Sequence, residues 1–437
     1  MQITIVHNEI PSEIEKNTIL DIRVATVTSY THGFHKYPAK FIPQIPGWAI
    51  KRYLGDAKGK LVLDPFSGSG TTLVESSISG NNSIGIDIDP LSVMIAKVKT
   101  TPLNLPLLNQ IIAWLKTTLP VYNGPLFLPE CKTIDHWFPS ESIETLAKIR
   151  SVIESIPDNF GVSNEVYDIY DFLIICFSSI IRRVSYADNE SQKTYVSHTH
   201  VKQPEAVLPV FEAQLDYYAS RITQYSQLKR LGESIVCKAS SSEPLTKVMG
   251  KKKADLAITS PPYIKAIDYI YNQMVELFWV GDLFEMDTQQ KQNTKKKNYV
   301  GNKQIPAKEY SEFIPSSNKF NIQELDEKIN EVFNNDPKNG LRHSYVTYKY
   351  FALMRDHFKV LSSCLKKNAH YVFVVGDSDV SNVHFNTATY LTELAENNGF
   401  ELSNRWGYVI KNRYMRFDRK GRGGKIDIDW VLDFQKE

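Results

Sequence analysis

An α/β fold, doubly wound about a largely parallel sheet, with a C-terminal β-hairpin and a mostly helical insertion, is the architecture this 437-residue sequence predicts. Three observations predict it. The stretch 61–90 reads strand, glycine turn, helix, strand, acidic residue. A second apolar strand, Leu256-Ala257-Ile258, runs directly into Thr259-Ser260-Pro261-Pro262-Tyr263. The tail then alternates helix and strand, ending in two strands that flank a Gly-rich loop.

Taken in order, residues 1–30 read as a small strand-rich lead-in, and 41–54 as a helix with Pro43 and Pro46 in its first turns. Leu61-Val62-Leu63 forms a buried strand ending at Asp64. The turn Phe66-Ser67-Gly68-Ser69-Gly70 leads into a helix over 71–79, and Gly80-Asn81-Asn82 closes it. A strand over 83–86 ends at Asp87, and a helix over 91–99 follows. From 101 to 231 the αβ rhythm stops, with apolar 3–4 spacing over 143–156, 167–181 and 206–228. A strand over 234–239 and the basic linker Lys251-Lys252-Lys253 precede the Pro-Pro strand, behind which 268–279 reads as an amphipathic helix. After a polar segment over 281–340, the tail reads helix 345–365, strand 369–375, helix 386–397 and a hairpin of strands 402–410 and 426–434.

The two loops carry the chemistry. Gly68 and Gly70 let backbone approach a ligand closely and take φ values that a side chain disfavours. The amides opening the next helix offer donors and partial positive charge. Asp87, at the following strand's tip, is placed to accept from two ribose hydroxyls, so a nucleoside cofactor fits all three features. A dinucleotide fits less well, because Leu73 stands where its third glycine belongs. Downstream, consecutive prolines make 259–263 rigid and extended, a loop able to clamp a planar polar group with a hydroxyl and an aromatic ring.

Together these residues resemble the DNA amino-methyltransferases. Asp64-Pro65-Phe66-Ser67-Gly68-Ser69-Gly70-Thr71 matches that family's DPFxGSGT motif, and Ser260-Pro261-Pro262-Tyr263 its (D/N/S)PP(Y/F/W) motif. A third motif is matched upstream by His35-Lys36-Tyr37-Pro38-Ala39-Lys40-Phe41. The resemblance implies a Rossmann-like methyltransferase sheet and S-adenosyl-L-methionine as cofactor. It places Lys36, Tyr37, Pro38 and Ala39 at the methionine end, Asp64, Phe66, Gly68, Gly70, Thr71 and Thr72 at the turn, Asp87 and Ile88 at the ribose, and Ser240 at the adenine. Ser260, Pro261, Pro262 and Tyr263 would act on a base flipped out of duplex DNA. Serine before Pro-Pro-Tyr resembles the cytosine-N4 enzymes; adenine N6 stays open, as do an RNA or other methyl acceptor and a non-catalytic nucleic-acid-binding module. Cytosine-C5 chemistry is excluded, since no cysteine follows a proline.

The catalytic domain is expected to comprise 1–100, 232–281 and 341–437. In the family's motif order, 101–231 is the target-recognition region, leaving 282–340 as a lysine-rich loop segment. Net charge is only +2, so a DNA surface must come from local clusters. Residues 291–303 hold five lysines and no acid, pointing to Lys295, Lys296 and Lys297 as phosphate contacts. The hairpin loop 411–425 holds seven basic residues against one acid, with Tyr414 and Phe417 interleaved, pointing to Arg413, Arg416, Arg419 and Arg422. Arg182 and Arg183, before polar 185–202, are expected near DNA. The four scattered cysteines read as reduced thiols, and His32 and His35 as a polar loop rather than metal ligands. With no signal-like N-terminus and no apolar run of membrane length, the expected setting is a bacterial or archaeal cytoplasm, without membrane or metal. The resemblance also leaves room for a cognate restriction endonuclease as partner.

Overall fold

Alternate residues along the central strands face two different cores, and this period-two pattern organises the molecule. The computed structural model describes residues 3–37, 41–189, 193–264, 268–295, 305–410 and 427–437. Its strands in chain order are β1 (Ile3–His7), β2 (Ile19–Arg23), β3 (Leu61–Asp64), β4 (Asn82–Asp87), β5 (Ser234–Lys238), β6 (Ala254–Thr259), β7 (Leu365–Gly376), β8 (Ser378–Val380), β9 (Val383–Phe385), β10 (Phe400–Val409) and β11 (Ile428–Lys436). Nine of them form one sheet in the order β1-β2-β10-β11-β7-β6-β3-β4-β5. Neighbours run parallel except where β11 lies antiparallel between β10 and β7. The strand-rich lead-in thus extends the main sheet, β2 pairing with β10.

On one face, helix α1 (Gln44–Leu54) covers Val62, Ile258, Val372 and Val374. On the other, the helices Gly340–Cys364 and Thr387–Glu396 cover Leu63, Ala257, Phe373 and Val375. Helices α2 (Thr71–Ile78) and α3 (Pro90–Thr100) follow β3 and β4. From β3 the chain steps outward to β4 and β5, then returns to place β6 and β7 on the other side of β3. Such a reversal opens a crevice at the carboxyl ends of the two strands that meet there. Those strands are β3, which ends at the glycine turn, and β6, which ends at the Pro-Pro loop.

The inserted region is helical, with Leu105–Val121, Ser140–Glu154, Asn164–Ile180 and Val207–Ser226 as its long members. Its apolar stripes share one core with Leu91, Ile95 and Val98 of α3. The stretch expected as one amphipathic helix over 268–279 is instead two short helices, Tyr269–Asn272 and Met274–Val280. The second is buried on every side, because the insertion closes over the face expected to meet water. Trp279 packs against Phe138 and Phe177 of the insertion, and Arg150 donates to the Trp279 carbonyl at 3.2 Å and to Asp282 at 2.7 Å. The small β8–β9 hairpin was not legible as strands: three residues each are too few for a periodic signal. No helix among the described residues is long and apolar enough to cross a membrane.

Candidate functional site

At the ends of β3, β4 and β6 lies a cleft. Phe66, Ser67, Gly68, Ser69 and Thr71 line it from the glycine turn; Asp87, Ile88 and Asp89 from the end of β4; Ala239, Ser240 and Ser241 from beyond β5; Ser260 and Pro262 from beyond β6. Tyr37, Phe41, Pro65 and Tyr269 complete the wall, the rings of Tyr37 and Tyr269 stacking at 5.8 Å.

The turn has its shape because two positions favour glycine. Gly68 has φ +47°, and a Cβ there would stand 3.0 Å from the Tyr37 ring. Gly70 has φ +82°, with Ala96 Cβ 2.9 Å from where its own would be. The left-handed Gly70 caps α2, whose first residue, Thr71, lines the cleft. Ser67 and Ser69, 5% and 2% exposed, line the cleft with hydroxyls that find no hydrogen-bond partner among the described residues. Buried hydroxyls of this kind ordinarily have partners, so two unpartnered ones on residues that line the cleft suit a polar ligand there.

Asp87 draws the turn and β4 together. One carboxylate oxygen accepts from the Gly68 amide at 2.8 Å and the other from the Asp89 amide at 2.8 Å. Burial, and then the neighbouring Asp89 charge, push its carboxyl up to about 7. Asp89 caps α3 by accepting from the Leu91 amide at 3.0 Å. Beneath the turn, Phe66 packs 4.9 Å from the ring of His357, which meets the Tyr371 hydroxyl at 2.8 Å. Burial lowers the His357 pKa to about 3, so it stays neutral.

The two walls are bolted together through Asp64. Its carboxylate accepts from the Thr259 hydroxyl at 2.6 Å and from the Phe66 amide at 3.1 Å, joining the strand before the glycine turn to the strand before the Pro-Pro loop. Burial pushes Asp64 up to about 6, against those hydrogen bonds. Past the prolines, the Tyr263 hydroxyl donates to Asp429 Oδ1 at 2.7 Å, and Tyr408 donates to Asp429 Oδ2 at 3.0 Å. Burial likewise raises the Asp429 carboxyl to about 6.

The structure gathers most of the expected residues. Tyr37, Phe66, Gly68, Thr71, Asp87, Ile88, Ser240, Ser260 and Pro262 share the cleft wall. Asp64, Gly70, Thr72 and Pro261 lie outside that wall: each is buried and acts on the shape of the loops from behind. Tyr263 also stands off the wall, half-buried with its hydroxyl turned to Asp429. Lys36 points elsewhere, donating to the Asn189 carbonyl at 2.7 Å. Pro38 and Ala39 lie outside the described residues, as do Lys296, Lys297, Arg413, Arg416, Arg419 and Arg422.

Arg182 requires a correction. It is 8% exposed and donates to the Thr194 hydroxyl at 2.6 Å, which in turn donates to the Asn272 carbonyl at 3.0 Å. A side chain sealed between the insertion and the helix beside the Pro-Pro loop has no path to a phosphate. Arg183 stays partly exposed but is held by both oxygens of Glu205 at 3.0 and 2.7 Å. Lys295 lies 3.5 Å from Glu285, with its side chain 38% exposed. His32 bonds Glu75 at 2.7 Å and His35 bonds Ser178 at 3.1 Å.

Phe41, Asp89, Ser241, Tyr269, Tyr408 and Asp429 were missed. For Asp89 a signal existed: Asp-Pro opening an apolar helix is a capping pattern. For Asp429 none did, since it lies 166 residues from its partner Tyr263.

Residues 11–98 match the family model of the N6/N4 DNA methylases. The chain is 26% identical over 402 residues to the type II methyltransferase M.MvaI of Kocuria varians, covering 87% of this chain and 84% of that one. It is 45% identical over 85 residues to M.MjaII of Methanocaldococcus jannaschii, covering 20% of this chain and 16% of the other. Over 279 residues it is 26% identical to M.BsoBI of Geobacillus stearothermophilus, covering 57% and 52% respectively.

Proposed function

We propose that the chain is a DNA methyltransferase of the N4/N6 amino-methylating family, of restriction-modification type, and that it methylates the exocyclic N4 of a cytosine flipped out of duplex DNA. The observation that carries the reading is the shared cleft. Ser260 and Pro262 face the glycine turn and Asp87 across it, at the ends of adjacent strands. Methyl acceptor and donor would therefore meet in one enclosed space.

The residues present fit S-adenosylmethionine. A glycine turn that excludes side chains, the Ser67 and Ser69 hydroxyls awaiting partners, and the Asp87 carboxylate form one polar lining. Asp87 would take the ribose, Ser240 the adenine side, and Tyr37 with the α2 amides the methionine end. When bound, S-adenosylmethionine supplies an electrophilic methyl group on sulfur.

The chain's own groups do the rest. An amino nitrogen within a stacked duplex cannot reach the cleft, so the base must leave the stack. The Tyr263 ring would stack on it. The Ser260 hydroxyl and the Pro261 carbonyl would accept from the amino group and draw its lone pair out of the ring. Positive charge grows on that nitrogen as the methyl arrives, so fixed acceptors stabilise the transition state more than the ground state. Rigid prolines hold them in place without reorganisation. Transfer is direct, with no covalent enzyme intermediate. Lys295, Lys296, Lys297, Arg413, Arg416, Arg419 and Arg422 would contact phosphates, and the insertion 101–231 would read the bases.

Tritiated methyl transfer to mixed-sequence duplex DNA, followed by nucleoside analysis, tests the reading. Label in N4-methylcytosine, with loss of signal in Tyr263→Ala, is expected. Label in N6-methyladenine would show that Ser260 does not select cytosine. No transfer to DNA by a protein that binds the cofactor would overturn the duplex-DNA reading, and transfer to RNA in a parallel reaction would replace it.

A further inference from the structure

The Tyr263 side chain reaches from the Pro-Pro-Tyr loop to the sheet, and what it meets there was invisible in the sequence. Asp429 lies near the start of β11, opposite Tyr408 on β10 and Gly376 on β7. Three hydrogen-bonded strands therefore hold its backbone. Its carboxylate, in a residue 9% exposed, accepts one tyrosine on each oxygen: Tyr263 at 2.7 Å and Tyr408 at 3.0 Å. Hydrogen bonds to an ionised acceptor are shorter and stronger than neutral ones and fix direction as well as distance.

We propose that Asp429, braced by Tyr408, is the positioning residue of the Pro-Pro-Tyr loop, setting the plane of the Tyr263 ring on which the target base stacks. The inference rests on the proposed function above and extends it to residues outside the sequence motif. The prolines set the loop's backbone but leave the tyrosine's side-chain torsions free. A ring tethered at its far end by the hydroxyl keeps one orientation, and the residue is only partly buried. Asp429 itself touches no reacting atom; it acts through Tyr263. The β10–β11 and β11–β7 ladders continue for many residues past Asp429, so the strand does not depend on this carboxylate for its place.

The experiment is a double-mutant cycle on the full chain with Asp429→Asn, Tyr263→Phe and the pair. Three quantities are read: S-adenosylmethionine affinity by calorimetry, and kcat and KM for duplex DNA. Loss of one charge-assisted hydrogen bond predicts a fall in kcat/KM of roughly tenfold to a hundredfold in each single variant. Cofactor affinity should stay unchanged, and the pair should be no worse than the worse single. A structural role alone would instead lower cofactor binding and thermal midpoint together, with losses that multiply. That result overturns the proposal, as would a Tyr263→Phe enzyme with wild-type kinetics. Should Asp429→Asn fail to fold, Tyr408→Phe takes its place, and wild-type kinetics there would equally remove the brace. Absence of DNA methylation by the unaltered chain would count against the proposed function, whereas wild-type activity with additive variants counts only against Asp429.

Discussion

The two walls of the cleft are built differently. The glycine-turn wall is contiguous in the chain: Phe66 to Asp89 supply its turn, its carboxylate and its helix N-termini, held by bonds between near neighbours such as Gly68 to Asp87. The Pro-Pro-Tyr wall is assembled from afar, Thr259 held by Asp64 and Tyr263 by Asp429. A local wall tolerates changes elsewhere in the sheet and fails when its own backbone is disturbed. A composite wall fails when strands that never touch the ligand lose their side-chain anchors.

The largest expected effect breaks the local wall. Gly68→Val should weaken cofactor binding on the order of a hundredfold or more, because a branched side chain is strained at φ +47° and its Cβ meets the Tyr37 ring. Calorimetric titration checks it, and binding near wild type would show that the turn adapts. An intermediate effect separates burial from DNA contact in the insertion. Arg182→Ala should destabilise the fold by about 2–4 kcal/mol, from a buried charge network left short of a partner. Arg183→Ala, which breaks a half-exposed pair, should cost under about 1 kcal/mol. Urea titration of both variants, beside DNA-binding curves, decides between them; a stable Arg182→Ala protein with weakened DNA affinity would return Arg182 to the DNA surface.

The smallest effect is one of pH. In its proposed role Asp87 would accept from both ribose hydroxyls as a carboxylate, yet in the free protein burial and Asp89 hold it at about 7. Cofactor affinity should therefore rise up to about tenfold between pH 6 and pH 8 and then level off. The sign for the free fold is opposite. A carboxyl raised from 3.8 to about 7 favours the fold while protonated, and that contribution fades as pH climbs through 7. Affinity flat across this range would mean that Asp87 does not meet the cofactor as a carboxylate.

This contrast also marks what could be read early. Gly68, Gly70 and the double proline were legible because each imposes a backbone restriction that depends on no distant residue. The helical insertion was legible from its apolar spacing, yet that spacing did not show that the insertion would close over Met274–Val280 and turn Arg182 inward. An arginine beside a polar loop looks the same in a sequence whether it faces phosphate or core.

By itself, the sequence determined the strand, turn, helix and strand around the glycine turn, the rigid Pro-Pro-Tyr loop and the acidic residue at the tip of β4, all local consequences of side-chain size and backbone freedom. Only the tertiary structure decided that β6 returns beside β3, that Thr259 bonds Asp64, and that Asp429 and Tyr408 hold Tyr263. Those contacts depend on strand order and register, which join residues up to 195 positions apart and leave no periodic trace along the chain.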